Sequence, residues 1–222
     1  MKIVGISGKM GAGKDTLANW VSERLKEEGE LEPVVLSFAS PLKKACCAFF
    51  SWDEIVFNDR TLKEKTDPFW GISPRQAAQL LGTEGFRHLF GDDIHIRAME
   101  KTIDSLPNLD RKLILIPDIR FDNEADFVRS KKGVIIHLKS SDQHNLNDAT
   151  KAHASESGIR EENGDVYLYN DKLKGLGYFY SQIDRLLDDD FFKTTLRFRP
   201  GLTPTTEKKE EEIKRIWKRV LR

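Results

Sequence analysis

A glycine-rich segment near the amino terminus constrains the fold more than any other part of this sequence. Residues 5–16 read GISGKMGAGKDT, and they continue an apolar run from Ile3 to Ile6. After Lys14 the apolar residues recur at helical spacing, as Leu17 and Val21 illustrate. The segment therefore predicts a buried strand, a tight loop and an amphipathic helix in that order.

The loop fits a phosphate-binding pattern with one departure. In Gly-x4-Gly-Lys-[Ser/Thr], Gly8, Gly13 and Lys14 match, whereas Asp15 occupies the hydroxyl position and the hydroxyl is displaced to Thr16. Such a loop turns backbone N–H groups toward phosphate oxygens, and its lysine offsets charge on the transferred group. The predicted ATP-binding residues of this segment are Gly8, Lys9, Gly11, Ala12, Gly13, Lys14, Asp15 and Thr16.

Asp15 has two interpretations. A carboxylate at a helix amino terminus is favoured by capping and by the helix dipole. A carboxylate is also a hard oxygen ligand, and an acid beside a triphosphate is repelled unless a cation lies between them. We expect Asp15 to contact magnesium directly or through water, with Thr16 donating to a phosphate oxygen; capping or an arginine partner is the alternative.

Further apolar runs alternate with segments of helical spacing. The strongest run, Leu113 to Ile116, ends at Pro117, which lacks an amide to extend a sheet ladder. Other predicted strands cover residues 33–39, 134–138 and 165–171. This alternation predicts an α/β fold with a parallel, doubly wound sheet and helices on both faces. Ligands in such folds bind beyond the carboxyl ends of the strands.

Capping signals mark two helices in the middle of the chain. Ser40 followed by Pro41, and Ser73 followed by Pro74, predict helix starts. Gly82 predicts the end of the second helix.

Composition narrows the functional classes. The 222 residues predict one domain or one domain with small insertions. The formal net charge is zero, so no global field draws the chain to nucleic acid or membrane, and we expect neither as a partner. Adjacent Cys46 and Cys47 predict small buried hydrophobes in a reducing compartment. With no signal segment and no run of about 20 apolar residues, we expect a cytoplasmic protein.

The carboxyl-terminal residues 197–222 differ from the rest. They hold nine Lys or Arg against four Glu. Their predicted helix carries Ile213, Ile216, Trp217 and Val220 on one stripe. Docking of this stripe on its own domain is the favoured interpretation, and a second subunit or an acidic partner is the alternative; a homodimer stays open.

Six motifs carry a resemblance to a known family. The motifs GKMGAGKDT, FASPLKK, PRQAAQLLGTE, IPDIRFDNEADFVR and HASESG, followed by VYLYND, occur in this order within residues 1–190. The chain resembles the bacteriophage-type deoxynucleoside monophosphate kinases, a branch of the P-loop nucleoside monophosphate kinases. The resemblance implies a P-loop NTPase fold over 1–196, with a helical acceptor-binding insertion at about 40–105 and a lid at about 140–165. Residues 197–222 would be an extension outside it.

The resemblance also implies a reaction. The γ-phosphoryl group of ATP would pass to a deoxynucleoside 5′-monophosphate with the help of magnesium, in the host cytoplasm if the chain is of phage origin.

Arg120, beyond a strand end, would clamp a phosphate, or else pair with Asp122 or Glu124 on the surface. Asp118 would belong to the magnesium shell with Asp15, or else cap the following helix, for which Asp122 competes.

Acceptor-binding candidates follow the second strand and lie in the middle of the chain. Arg75 and Gln79 are four residues apart on one helix face, and Thr83 is predicted to follow the end of that helix. Several of these residues have a purely structural alternative to ligand binding. Phe38 could belong to the core, Trp70 could be a packing anchor, and Arg87 could lie on a solvated helix face. The lid candidates are Lys151, His153 and Ser155, with Glu156 for substrate and Arg160 for ATP. The acceptor candidates are Phe38, Ser40, Lys43, Trp70, Arg75, Gln79, Thr83, Arg87 and Glu156.

Two alternatives to this function remain at the level of sequence. Animal-type phosphomevalonate kinases also carry Gly-Lys-Asp, so another small phosphorylated acceptor is a rival. A non-catalytic nucleotide-binding module, with residues 197–222 docking on a partner, is a rival of a different class.

Overall fold

The structure is a computed structural model that describes residues 1–28, 31–141 and 158–188. The predicted extension 197–222 and most of the predicted lid lie outside the described residues. The chain forms two compact units. The first unit comprises Met1–Val35 and the described residues from Arg111 onward, and the second unit is Leu36–Asp110.

The first unit is built on a five-stranded sheet in which every neighbouring pair is parallel. The strand order is β2-β3-β1-β4-β5, which places β1 at the centre between β3 and β4. The strands are β1 (Lys2–Ser7), β2 (Glu32–Val35), β3 (Lys112–Ile119), β4 (Val134–Ser140) and β5 (Val166–Asn170).

Helices cover both faces of this sheet. They are α1 (Lys14–Glu28), α8 (Asp122–Ser130) and α9 (Gly175–Asp188), and a 3-10 turn, Lys172–Lys174, precedes the last. Val4 and Ile6 of β1 share one buried cluster with Leu17 of α1 and Phe179 of α9. The other face meets α8, which contacts β1 and β4. The predicted α/β doubly wound architecture is confirmed, and with a glycine loop between β1 and α1 it is the P-loop NTPase fold.

Two strand boundaries differ from the sequence predictions. The strand predicted over 33–39 ends at Val35, since its last paired residue lies opposite Leu115. The strand predicted to end before Pro117 instead continues to Ile119. Pro117 is tolerated because the β1–β3 register shifts between Gly5 and Ser7, and a strand proline is accepted at such an irregularity.

The second unit is helical. Its elements are α2 (Ser40–Phe50), α3 (Ile55–Asn58), α4 (Arg60–Glu64), α5 (Pro74–Gln79), a π-helix (Leu80–Arg87), α6 (His88–Phe90) and α7 (Ile94–Asp104). A 3-10 turn (Leu109–Arg111) follows where the chain passes back into the first unit. Leu42, Cys46, Cys47 and Phe57 form its buried cluster. Both thiols are free, and burial raises the pKa of Cys46 to about 11, which agrees with the prediction of small buried hydrophobes.

The capping predictions for the second unit have mixed outcomes. Ser73 caps α5 as predicted, because its hydroxyl accepts the N–H of Gln76. Ser40 is not a cap: Ala39 holds that position without a side-chain bond, and Ser40 is the first helical residue.

Gly82 does not end the helix that Ser73 begins. The chain continues from α5 into the π-helix, in which the N–H of His88 donates to the carbonyl of Thr83. A Cβ at Gly82 would lie 2.7 Å from Cδ2 of Leu42, so the glycine lets the wide turn pack closely against α2. A ring nitrogen of His95 lies 3.1 Å from the Gly82 carbonyl oxygen. The prediction was wrong because close packing, not chain termination, requires this glycine.

Among residues 1–28, 31–141 and 158–188, no helix has the length and apolar character needed to cross a membrane.

Candidate functional site

The loop from residue 8 to residue 13 is shaped by its glycines. Gly11 and Gly13 have φ values of 78° and 103°, in the left-handed region that side chains with a Cβ disfavour. A Cβ at Gly8 would lie 2.5 Å from the carbonyl oxygen of Leu138, so only glycine fits there. The N–H of Ala12 donates to the carbonyl of Lys9 at 3.1 Å and closes the turn. The loop is therefore a fixed backbone conformation at the carboxyl end of β1.

Lys14 is held against this loop. Its Nζ donates to the carbonyl oxygens of Gly8 at 2.6 Å and Lys9 at 3.0 Å. These contacts keep the ammonium charge at the loop instead of in bulk solvent, whereas the Lys9 side chain is exposed. A positive charge beside the backbone N–H groups of such a loop can stabilise a polyphosphate.

Asp15 and Thr16 belong to the first turn of α1. The first bond of this helix runs from the N–H of Leu17 to the carbonyl of Gly13, so Gly13 occupies the capping position and Asp15 is the second helical residue. Asp15 is exposed, and Thr16 is half-buried. Within the described part of the chain the Asp15 carboxylate has neither a backbone N–H nor an arginine as partner.

The end of β3 lies next to the loop because Ile119 pairs in register with Ser7, the last residue of β1. Asp118 is the penultimate residue of β3 and is half-buried. The sequence predicted that it would follow the strand, but it lies within the strand. Arg120 follows the strand directly. Both side chains therefore belong to the carboxyl edge of the central strands, where this fold binds ligands.

A buried carboxylate that the sequence did not single out as functional fixes the turn at Arg120. Glu124, with 3% of its surface exposed, accepts the N–H groups of Arg120 at 2.8 Å and Phe121 at 3.2 Å. Asp122, considered as the cap of α8, is instead the first residue of that helix and accepts the backbone N–H of Arg160. Glu124 therefore satisfies the start of α8 and orients the chain that carries Arg120.

The last residue of β5 also contacts the loop. Nδ2 of Asn170 donates to the carbonyl oxygen of Ala12 at 2.9 Å. In the sequence, Asn170 belongs to a predicted strand and to the VYLYND motif, and no role of its own was predicted for it. A polar side chain at the end of an otherwise apolar buried strand was the signal that could have identified it.

A second group of charged residues, the Asp165 cluster, consists of Asp165, Arg129, His137, Glu162 and Arg160. Asp165 Oδ2 lies 2.7 Å from the Arg129 guanidinium and 2.8 Å from His137 Nε2. Burial alone would raise the pKa of Asp165, but the hydrogen bonds from His137 and Arg129 outweigh burial and hold that pKa below its usual value. Arg160 joins the cluster through Glu162 at 2.7 Å.

Arg160, predicted to bind ATP, is thus engaged elsewhere in this structure. Besides Glu162, its guanidinium contacts Asp126 at 3.2 Å. The side chain is exposed, so both pairs are surface contacts of small energy that a ligand could replace.

The acceptor-binding candidates all lie in the second unit, apart from Glu156. Arg75, Gln79, Thr83 and Arg87 recur at every fourth position along α5 and the π-helix. In an α-helix each fourth residue advances by about 40° around the axis. The wider π turn, with its i to i+5 bonds, turns each fourth residue back in the opposite sense. The π turn should therefore keep these four positions closer to one stripe than a continuous α-helix would.

Individual members of this stripe have partners within the second unit. Arg75 pairs with Glu64, and NH1 of the buried Arg87 donates to the carbonyl of Asp92 at 2.8 Å. Gln79 and Thr83 are half-buried. A polar stripe with restrained arginines can present cations and an amide to a phosphorylated small molecule.

The remaining candidates of the second unit differ in exposure. Phe38 is 3% exposed and belongs to the core, in agreement with the structural alternative for that residue. Ser40 is exposed and Lys43 is half-buried, both in the first turn of α2. Trp70 donates from Nε1 to the Phe50 carbonyl at 3.0 Å and stacks edge-on against Phe50, as a packing anchor would, yet 40% of it is exposed. Lys151, His153, Ser155 and Glu156 lie outside the described residues.

The carboxylates near the loop are the candidate ligands for magnesium. No group of three or more His, Cys, Asp or Glu side chains in the described ranges could hold a metal by itself. Magnesium in phosphate-transfer sites uses one or two carboxylates together with substrate phosphates. Asp15, which has no protein partner within the described ranges, and Asp118 at the adjacent strand end fit that requirement.

Comparison with known proteins agrees with this geometry. Residues 50–183 match the family model described as deoxynucleotide monophosphate kinase. A protein of Acanthamoeba polyphaga mimivirus that is provisionally named a deoxynucleotide monophosphate kinase is 34% identical to this chain over 202 residues. The alignment covers 85% of this chain and 97% of the viral protein. Shikimate kinase from Acinetobacter baumannii in complex with shikimate aligns at 13% identity and a TM-score of 0.30, over the whole chain and 96% of that protein. A likeness that weak supports no conclusion.

Proposed function

Because the chain belongs to the deoxynucleotide monophosphate kinase family and is a phosphotransferase, we propose that it transfers the γ-phosphoryl group of ATP to a deoxynucleoside 5′-monophosphate. The products would be the deoxynucleoside diphosphate and ADP. The observation that carries the ATP half of this proposal is the Lys14 ammonium bound to the Gly8 and Lys9 carbonyls.

On the ATP side, the loop would bind the triphosphate through backbone N–H groups and the amino terminus of α1. Lys14 would contact the terminal phosphates and follow the γ-phosphoryl group as charge shifts onto the leaving oxygen. Because the glycine conformations and the Ala12–Lys9 bond fix the backbone of the loop, the donors need little reorganisation at the moment of reaction.

Magnesium would be held by Asp15 and Asp118, directly or through water. When bound, the ion would neutralise charge on the phosphates. Asp15 supports this role because it occupies the second position of α1, where it cannot act as the helix cap.

The acceptor side requires positioning more than proton transfer. A nucleoside monophosphate is mostly a dianion at neutral pH, so its oxygen can attack without a strong general base. Arg120 would hold phosphate oxygens with its planar fork, and Glu124 keeps the backbone that carries Arg120 in place. The stripe of Arg75, Gln79 and Thr83 would bind the acceptor's phosphate and base edge.

A panel of acceptors tests this proposal. ADP release is measured by a coupled assay at saturating ATP and magnesium, with deoxynucleoside monophosphates, ribonucleoside monophosphates and phosphomevalonate in parallel. We expect turnover with at least one deoxynucleoside monophosphate. Turnover with phosphomevalonate alone would replace the nucleotide by another phosphorylated acceptor, and ATP binding with no acceptor-dependent turnover would contradict the proposed reaction.

A further inference from the structure

Asn170 connects the last strand of the sheet to the phosphate loop across 158 positions of sequence. Its side chain is 5% exposed, and Nδ2 donates to the carbonyl oxygen of Ala12 at 2.9 Å. The residue itself is rigidly placed, since Asn170 pairs with Ser140 in β4 and its carbonyl accepts the N–H of Ser141 at 3.2 Å. The loop is therefore bonded to a fixed point of the sheet.

This bond determines the direction of a neighbouring N–H group. The peptide bonds among the described residues are all trans, and in a planar trans peptide the carbonyl and the N–H point in opposite directions. Because the Ala12 carbonyl is directed at Asn170, the Gly13 N–H of the same peptide is directed away from Asn170 and from β5. Backbone N–H groups of phosphate loops are the donors that these loops offer to anions.

Packing leaves this peptide little freedom. A Cβ on Gly13 would lie 2.9 Å from Nδ2 of Asn170 and 3.4 Å from Cε1 of Phe179. Phe179 is fully buried. Gly13 therefore packs closely against both the Phe179 ring and the side-chain amide of Asn170. The loop rests on these two side chains.

An amide suits this position better than other side chains. It supplies a donor for the carbonyl without placing a charge near the phosphates. If the donor were removed, the Ala12 carbonyl would lose its partner in a buried place, and the peptide would be drawn toward other donors.

We propose that Asn170 is a positioning residue: by binding the Ala12 carbonyl it orients the Gly13 N–H toward the polyphosphate. The inference rests on the proposed function, because it assumes that the loop holds the triphosphate of ATP. It predicts an effect on anion binding that a purely packing role for Asn170 would not produce.

The test compares binding of inorganic tripolyphosphate and of adenosine by calorimetry, using the full chain. In Asn170→Leu, which is similar in size and uncharged, we expect tripolyphosphate to bind about tenfold more weakly or worse. Adenosine should bind as it does to the wild type. The shorter Asn170→Ser variant keeps a polar group in the site, but the serine hydroxyl cannot reach the Ala12 carbonyl. This variant should therefore also lose tripolyphosphate affinity, and it provides a second test if the leucine variant misfolds.

Leu168→Ala is the matched control, because Leu168 lies two residues earlier on the same buried face of β5. It should lower the melting temperature yet leave tripolyphosphate affinity unchanged. Wild-type affinity in a folded Asn170 variant, or an equal loss in Leu168→Ala, would overturn the inference, as would the absence of tripolyphosphate binding by the wild type. Acceptor turnover is measured separately, so a wild type that binds tripolyphosphate but phosphorylates no nucleotide would refute only the proposed reaction.

Discussion

The two ends of β5 show two different uses of a buried polar side chain. At the cluster end, Asp165 precedes the strand and binds Arg129 and His137 as a charged group. At the loop end, Asn170 closes the strand and binds the Ala12 carbonyl as a neutral donor. The charged contact ties stability to pH, whereas the neutral contact adds no charge to the loop. We therefore expect changes at the loop end to alter kinetics and changes at the cluster end to alter stability.

The largest expected effect is at the loop end. Lys14→Met should lower kcat/KM by about 10³-fold or more, because it removes the charge that would stabilise the transferred group in the proposed reaction. The melting temperature should change little, since the ammonium donates to carbonyls of the loop that directly precedes it in sequence. Lys9→Met, which alters an exposed lysine of the same loop, is the control and should lose far less activity. Equal losses in both variants would show that general loop charge, not the position of Lys14, matters.

The second-largest expected effect is the loss of activity on replacing Arg120, which is compared with the replacement of Arg129. Arg120→Lys should lower kcat/KM by about 10²-fold, because an ammonium cannot replace the planar fork at a phosphate. Arg129→Lys, in the Asp165 cluster, should instead leave kcat/KM near the wild-type value and lower the midpoint of urea unfolding. Steady-state kinetics and urea titration of both variants check the pair. Near-wild-type kinetics for Arg120→Lys would remove Arg120 from the transferring site.

The third effect is on stability at the cluster end. Asp165→Asn should lower the free energy of unfolding by about 2 kcal/mol at neutral pH, because Arg129 loses a buried charged partner. The pKa of Asp165 is held below its usual value, so the cluster stabilises the fold above an ordinary carboxyl pKa of about 4 and loses that contribution as pH falls through the depressed value. Urea unfolding from neutral to acidic pH should therefore show a flatter acid limb for Asp165→Asn. A limb as steep as that of the wild type would contradict the assignment.

The smallest effect concerns metal. Asp15→Asn should raise the magnesium concentration for half-maximal turnover by about tenfold, since a neutral amide is a weaker ligand than a carboxylate. ATP affinity without metal should stay the same or improve, because a repulsive charge is removed. A magnesium titration of the initial rate measures both. Unchanged magnesium dependence would leave Asp15 only its interaction with the helix dipole.

Much of the fold could be predicted because local patterns determine it. The apolar run, the glycine loop and the helical spacing of residues 3–21 specify a strand, a loop and a helix without help from the rest of the chain. Ser73 was recognised as a cap because capping is a contact between near neighbours in sequence. The family motifs then located the candidate residues on these elements.

The errors and omissions involve contacts between distant residues. Pro117 continues a strand because of a register shift in β1, and Gly82 continues a helix because Leu42 packs against it. Asn170 acts on a loop at the other end of the chain. None of these partners can be read from the residues around the position concerned.

The central claim is that the Lys14 loop transfers the γ-phosphoryl group of ATP to a deoxynucleoside monophosphate. The most direct measurement follows ATP carrying radioactive phosphorus in its γ-phosphoryl group, separated from its products by chromatography. We predict label in a deoxynucleoside diphosphate, formed only when the monophosphate is present and reduced about 10³-fold in Lys14→Met. Label that appears only as inorganic phosphate, at a rate independent of the acceptor, would contradict the claim.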